Sequence, residues 1–260
     1  MFVVFAAAAV IWSLLVLRAT LRRGGGRSIV VASCVAVAAA VVSIVIDVRA
    51  MQLARRAEPA DVAIRIVARG DWFELAYEAR GTAFITANEL HVPIGGAVAL
   101  SWSGLPPPWI DGAVCLPRGE DRCTLVARGD GAARFIALKP RMWRRLPIVA
   151  EPRPRFEQWL RGEASPARAD AGGAALFESA GCGYCHVVRG AVASPSQIAP
   201  DLTHFASRRT IAATALPNRR GFIDGWIVHS AALKRGSAMP DNRLDPRVLR
   251  GIIAYLESLR

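Results

Sequence analysis

Hydrophobic positions fall into three successive patterns along the chain. The first is continuous: Met1 to Leu17 is apolar except for Ser13, and Ile29 to Ile46 carries no charge. At about 1.5 Å per helical residue, each run spans a little under the roughly 30 Å hydrocarbon core of a bilayer. The pattern predicts two transmembrane helices joined by the basic turn Arg18–Arg27, a hairpin over residues 1–56. The first run lacks a positive lead-in and a small-residue cleavage site, so it reads as retained. Val31-Ala32-Ser33-Cys34 resembles a lipoprotein cleavage box, but the apolar run continues past it, and Cys34 reads as a buried, inert thiol.

The second pattern is short and punctuated. Val62–Val67, Trp72–Tyr77, Ala83–Thr86, Ala97–Trp102, Cys123–Ala127, Ala133–Leu138 and Leu146–Ala150 are β-branched or aromatic runs separated by signals such as Gly95-Gly96 and Pro106-Pro107-Pro108. That spacing predicts an all-β sandwich over residues 57–152. Glu151–Leu160 has one apolar face, Phe156 and Leu160, and predicts a short amphipathic helix. The Ala, Gly, Pro and charge of Arg161–Gly173 predict a flexible tether, so residues 153–172 read as a linker that lets the last domain swing.

The third pattern is helical. Ala174–Ala180 predicts a helix with Phe177 facing inward. Asp245-Pro246 predicts an N-cap with proline at the first helical position, followed by Leu249, Ile252, Ile253, Leu256 and Leu259 at helical spacing. Residues 173–260 therefore read as a small all-helical domain, and a domain of that size buries little apolar surface unaided.

The chemistry lies in that domain. Cys182-Gly183-Tyr184-Cys185-His186 is a C-x-x-C-H pattern, which reads as covalent attachment of c-type haem. On a helical turn the two thiols share one face, where each can bond one vinyl group of the same porphyrin, and His186 lies beneath the iron. A thioredoxin-like site would need a βαβ context, and a zinc knuckle a second ligand pair. Met239, in Gly236-Ser237-Ala238-Met239-Pro240, is the candidate second axial ligand, since methionine favours ferrous iron. A core methionine would sit in a periodic apolar run instead. His204 and His229 are the alternative ligands, with an ordinary hydrogen-bonding role the commoner fate of such histidines.

Charge alters this picture little. The net charge of +12 suggests nucleic acid as a partner, but no basic run is interleaved with aromatics for stacking. From Ala174 to Arg260, eleven Lys or Arg against six Asp or Glu leave 11 − 6 = +5, a face able to steer toward an acidic partner. Arginines on the two sides of the second apolar run nearly balance, so the positive-inside rule does not orient it. Attachment of haem c outside the bacterial cytoplasm does, and predicts the inner (cytoplasmic) membrane with residues 50–260 in the periplasm. There Cys115 and Cys123 predict a disulfide, with a rearranged metal site the alternative.

Two stretches carry a family resemblance. Ala175-Leu176-Phe177-Glu178-Ser179-Ala180-Gly181-Cys182, Ile198-Ala199-Pro200-Asp201-Leu202-Thr203-His204 and Ala254-Tyr255-Leu256-Glu257-Ser258-Leu259 resemble the cytochrome c domain fused to subunit II of bacterial cytochrome c oxidases. Ile85-Thr86-Ala87-Asn88-Glu89-Leu90-His91-Val92-Pro93, with Trp72-Phe73-Glu74 before it, resembles the cupredoxin domain of that subunit. The resemblance implies a multi-domain membrane protein: a transmembrane hairpin, a cupredoxin-like sandwich and an all-α class I cytochrome c domain. It implies haem held by Cys182 and Cys185, iron ligated by His186 and Met239, and Pro200 packed beside His186.

The resemblance also has a gap. The family's dinuclear copper centre needs two cysteines, two histidines and a methionine, yet Ala137–Leu146 and Gly104–Asp111 contain neither cysteine nor histidine, and His91 is the only histidine of the β region. Copper is therefore not expected. Asp71-Trp72-Phe73 stands where the family has three tryptophans, which leaves the usual electron route in doubt. Two functions compete. One is an electron-transfer subunit of a haem-copper oxidase, fed by a cytochrome c or a quinol-oxidising complex, with oxygen reduced in subunit I and other oxidase subunits alongside. The other is a membrane-tethered cytochrome, or the small cytochrome subunit of another reductase.

Overall fold

A computed structural model describes residues 18, 34–35, 37–45, 48–49, 52, 61–138, 141–196 and 198–260. The chain divides into two units, Met1–Ala57 and Glu58–Arg260. In the first, residues 37–45 are helical. The expected two-helix transmembrane hairpin, and with it the membrane-protein fold class, is not upheld: among the described residues no helix is long and apolar enough to cross a membrane. The nine residues 37–45 extend about 14 Å, half the hydrocarbon thickness, and all of the first apolar run and part of the second lie outside the described residues.

In the second unit eight strands come first: β1 (Val62–Arg69), β2 (Trp72–Ala79), β3 (Thr82–Ala87), β4 (Leu90–Pro93), β5 (Ala97–Ser103), β6 (Trp109–Pro117), β7 (Arg122–Leu138) and β8 (Arg141–Glu151). They form one eight-stranded sheet in the order β3-β2-β1-β5-β7-β8-β4, with β6 on β7. This half-barrel corrects the expected pair of separate sheets. The reason is β7, whose first half pairs with β5 (Ala97↔Val126) and whose second half pairs with β8 (Leu138↔Arg141). One strand that changes partners along its length joins two layers into one curved sheet. Alternation puts Ile64, Ile66, Leu75, Tyr77, Leu100, Leu125, Phe135, Leu146 and Ile148 into a single core.

Helix α1 (Arg153–Ala164) follows and closes the open face of that core with Phe156 and Leu160. Trp159 of α1 stacks flat on His91, ring centroids 4.2 Å apart, and meets Tyr77 edge-on at 5.2 Å. Much of the expected linker is therefore packed helix. Its last turn is fastened to the next domain, because Arg189 donates from Nη2 to the Glu163 carbonyl at 2.6 Å and from Nη1 to the Ala164 carbonyl at 3.3 Å. His204 Nε2 bonds the Ser165 carbonyl at 2.9 Å. The swinging tether gives way to a pinned joint.

The C-terminal domain contains α2 (Ala171–Ser179), the short pair β9 (Thr210–Ile211) and β10 (Leu216–Pro217), α3 (Arg220–Val228), α4 (Ser230–Leu233) and α5 (Pro246–Ser258). Asp170 caps α2 by accepting from Gly173 N at 2.6 Å, and Asp245 caps α5 by accepting from Arg247 N at 2.7 Å. The two helices cross where Gly173 meets Tyr255: a Cβ on Gly173 would lie 2.7–2.9 Å from that ring. Phe177 packs against the same ring at 5.7 Å, and Ile252, Ile253, Leu256 and Leu259 complete the core.

Candidate functional site

Helix α2 ends at Gly181, whose φ of +82° is a left-handed conformation that glycine adopts without strain. The reversal starts the 3-10 turn Cys182–Tyr184, in which Cys185 N and His186 N both donate to the Cys182 carbonyl at 3.2 and 3.0 Å. Cys182, Cys185 and His186 thereby line one cavity, and Met239 lines it too. The structure brings together all four residues expected to hold the cofactor. His204 and His229 do not line the cavity: His204 is spent on Ser165, and His229 ends α3.

The tautomer of His186 follows from its neighbour. Nδ1 lies 2.8 Å from the Pro200 carbonyl, which can only accept, so the ring proton sits on Nδ1 and Nε2 keeps its lone pair. Burial pushes His186 below the ordinary imidazole range, which keeps that lone pair free. Burial also raises the Cys182 thiol. Pro200 is held in turn by the network beside it: Asp201 accepts from Thr203 N at 2.7 Å and from Arg189 Nε at 3.1 Å, and Leu202 N donates to the Val187 carbonyl at 2.9 Å.

Met239 lies in a loop without regular structure, and two polar residues fix it. Fully buried Ser230 donates to the Met239 carbonyl at 2.5 Å. Asn242 Nδ2 donates to the carbonyls of Pro240 at 2.9 Å and Ile227 at 3.1 Å, stapling the loop to the end of α3. Sequence reading missed both, since a lone Ser and Asn carry no signature. It also missed Arg208, which lines the cavity with a buried Nε that has no partner.

The cavity has a volume of about 210 Å³. Its walls are mainly apolar, with Leu202, Phe205, Ile211 and Trp226 among them. Residues 171–260 match the Cytochrome c family. No curated protein matches the chain. The C-terminal domain is a c-type cytochrome domain whose cofactor is covalently bound haem c, and it serves as an electron carrier. The residues present fit that group: two thiols three apart, an imidazole with a free Nε2, a thioether lining the same cavity, and an orphaned guanidinium N–H suited to a carboxylate. Bound haem supplies the one-electron change between ferric and ferrous iron.

Of the other expected chemistry, Cys115 and Cys123 form a disulfide with Cα atoms 5.6 Å apart. Part of the loop that would correspond to the family's copper loop, Lys139 and Pro140, lies outside the described residues, and the flanking strands pair right up to it. His91, the only histidine of the β-module, sits between Glu151 at 3.4 Å and Glu89 at 3.9 Å.

Proposed function

We propose that Cys182 and Cys185 hold the haem by thioether bonds, that His186 and Met239 are its axial ligands, and that the chain relays single electrons to a larger respiratory complex. The observation that carries the ligand set is the convergence of these four side chains on one cavity, with His186 Nδ1 already committed to Pro200. Methionine ligation favours ferrous iron and so a raised potential, which suits the oxidising end of a respiratory chain.

The finer reading is an electron-transfer subunit resembling subunit II of a haem-copper oxidase. In that reading a cytochrome c or quinol-oxidising complex is the donor, and oxygen is reduced in another chain. Its support is the order of parts: a β-module whose Ile85–Pro93 and Trp72–Glu74 resemble the oxidase subunit, followed directly by the cytochrome domain. The second reading is the cytochrome subunit of a different reductase. It draws on Gly104–Asp111 and Ala137–Leu146, which offer no cysteine or histidine for copper. Either way the soluble domains belong outside the cytoplasm, where haem c is attached and where the Cys115–Cys123 disulfide is stable.

Purification with native partners, followed by metal and haem analysis, tests the choice. A haem-copper catalytic subunit at equal stoichiometry supports the oxidase reading. Its absence, with another redox partner present, rejects that reading in favour of the second.

A further inference from the structure

The cavity of the cytochrome domain is not closed by that domain alone. Asp71, Trp72 and Asn88 of the β-module line it together with Cys182, His186 and Met239. We propose that the β-module is a structural part of the haem site, and that the Asp71–Lys234 pair clasps it shut as a water-excluding wall. This rests on the haem reading above and extends it to residues outside the cytochrome domain.

Three observations carry the inference. First, the wall is built from two turns braced against each other. Gly70, with φ +54°, tightens the β1–β2 hairpin that carries Asp71 and Trp72, and Asn88, with φ +67°, sits between β3 and β4. Phe73 N donates to Asn88 Oδ1 at 2.9 Å, while Asn88 N donates back to the Phe73 carbonyl at 3.1 Å. Trp72 and Asn88 are buried although they stand at the end of their module, where turns are ordinarily wet.

Second, Lys234 reaches across from the cytochrome domain. Its Nζ donates to the Asp71 carboxylate at 2.8 Å and to the Asp71 carbonyl at 2.7 Å, a two-point grip on the hairpin tip. Both side chains are about four-fifths buried, at 19 and 21 % exposure, so the pair is largely shielded from the water that weakens surface ion pairs. Lys234 itself lines the cavity, only five positions before Met239. Third, Glu89, next to Asn88, accepts from Arg209 N, Thr210 N and Thr210 Oγ1 at 3.0, 2.8 and 2.8 Å. That fixes the strand following Arg208, so the β-module also sets the wall on the Arg208 side.

The physical consequence concerns the iron's redox balance. Ferric haem carries one more positive charge than ferrous haem, so excluding water from the cavity disfavours the ferric form and raises the potential. A paired Asp71 adds little field, whereas an unpaired Asp71 carboxylate would stabilise ferric iron. Loss of the clasp therefore admits water and exposes a negative charge. Both effects lower the potential.

The test uses the full haem-loaded chain and spectroelectrochemical titration. Lys234→Met should lower the midpoint potential, and adding Asp71→Asn to it should recover part of the drop because the unpaired charge is gone. Trp72→Ala should lower the potential by opening the wall without changing any charge. Covalent haem content and the methionine–iron absorption band report whether the site is still assembled. Potentials unmoved by both Lys234→Met and Trp72→Ala, in chains that retain haem and band, overturn the proposal alone. Failure of the unaltered chain to attach haem overturns the reading beneath it, and this proposal with it.

Discussion

Glu89 in the β-module, only 3 % exposed, places its carboxylate on the backbone N–H groups of Arg209 and Thr210 in the cytochrome domain, with His91 at its other side, 3.9 Å away. Burial alone would raise the Glu89 pKa, but the neighbouring His91 and the hydrogen bonds from Arg209 and Thr210 outweigh it and leave Glu89 lowered. Burial would likewise lower His91, and the carboxylates of Glu151 and Glu89 beside it leave it raised. Glu89 thus contributes stability above the ordinary glutamate pKa that is lost as pH falls through its depressed folded value. His91 contributes stability below the ordinary imidazole pKa that is lost as pH rises through its raised folded value.

The joint is accordingly firmest in the weakly acidic window between those two ordinary values. Thermal unfolding across a pH series should show it, with Glu89→Gln costing about 1–3 kcal/mol and flattening the acid limb. An unchanged acid limb would contradict the role given to Glu89.

Replacing both Cys182 and Cys185 by Ser should abolish haem staining after denaturing electrophoresis, because no thioether remains. A single Cys182→Ser or Cys185→Ser change should leave a weaker stain held by one bond. Persistent staining of the double variant would refute the attachment site.

Met239→Ala should remove the weak absorption band at the red end of the ferric spectrum that marks methionine bound to iron, and should lower the midpoint potential. Ser230→Ala should leave the band in place but make it vanish at lower temperature, since it removes the bond to the Met239 carbonyl without touching the sulfur. A Met239→Ala chain with an unaltered band would dismiss Met239 as ligand.

Two helical glycines separate backbone-level crowding from side-chain crowding. A Cβ at Gly173 meets the Cβ, Cγ and Cδ2 atoms of Tyr255, which cannot retreat without moving α5. A Cβ at Gly251 meets only the terminal Cδ1 of Leu176, which can rotate away. Gly173→Ala should therefore destabilise by about 1–3 kcal/mol and Gly251→Ala by distinctly less, read from denaturant unfolding.

Reduction of the Cys115–Cys123 bridge, or Cys115→Ser with Cys123→Ser, should cost about 2–3 kcal/mol by releasing a short closed loop in the unfolded chain. The haem spectrum should not change, since neither cysteine lines the haem cavity.

The haem site is readable in the sequence because its chemistry sits in contiguous residues: C-x-x-C-H needs no knowledge of the fold, and Met239 is marked by its loop setting. The clasp is not readable, because Asp71 and Lys234 are 163 positions apart and each looks like an ordinary surface charge. The β-module illustrates a different failure. Cys123–Ala127 and Ala133–Leu138 read as two separate strands, yet both lie within β7. A Cβ at Gly131 would stand 2.2 Å from the Asp111 carbonyl oxygen, so this glycine serves the close approach of β6 at its bulge. Strand β6 went unread for a related reason, since prolines precede it and Gly112 interrupts it. In the supposed tether, small residues suggested slack. Arg189, a distant side chain, supplies the bonds that remove it.

Only Ser165–Asp170 lie between α1 and α2, and the first of these is fixed by His204. A cytochrome domain joined this tightly has no leash on which to travel from one redox partner to the next. Its haem would stay fixed relative to the β-module, so electron exchange should not depend on the length of the connecting segment.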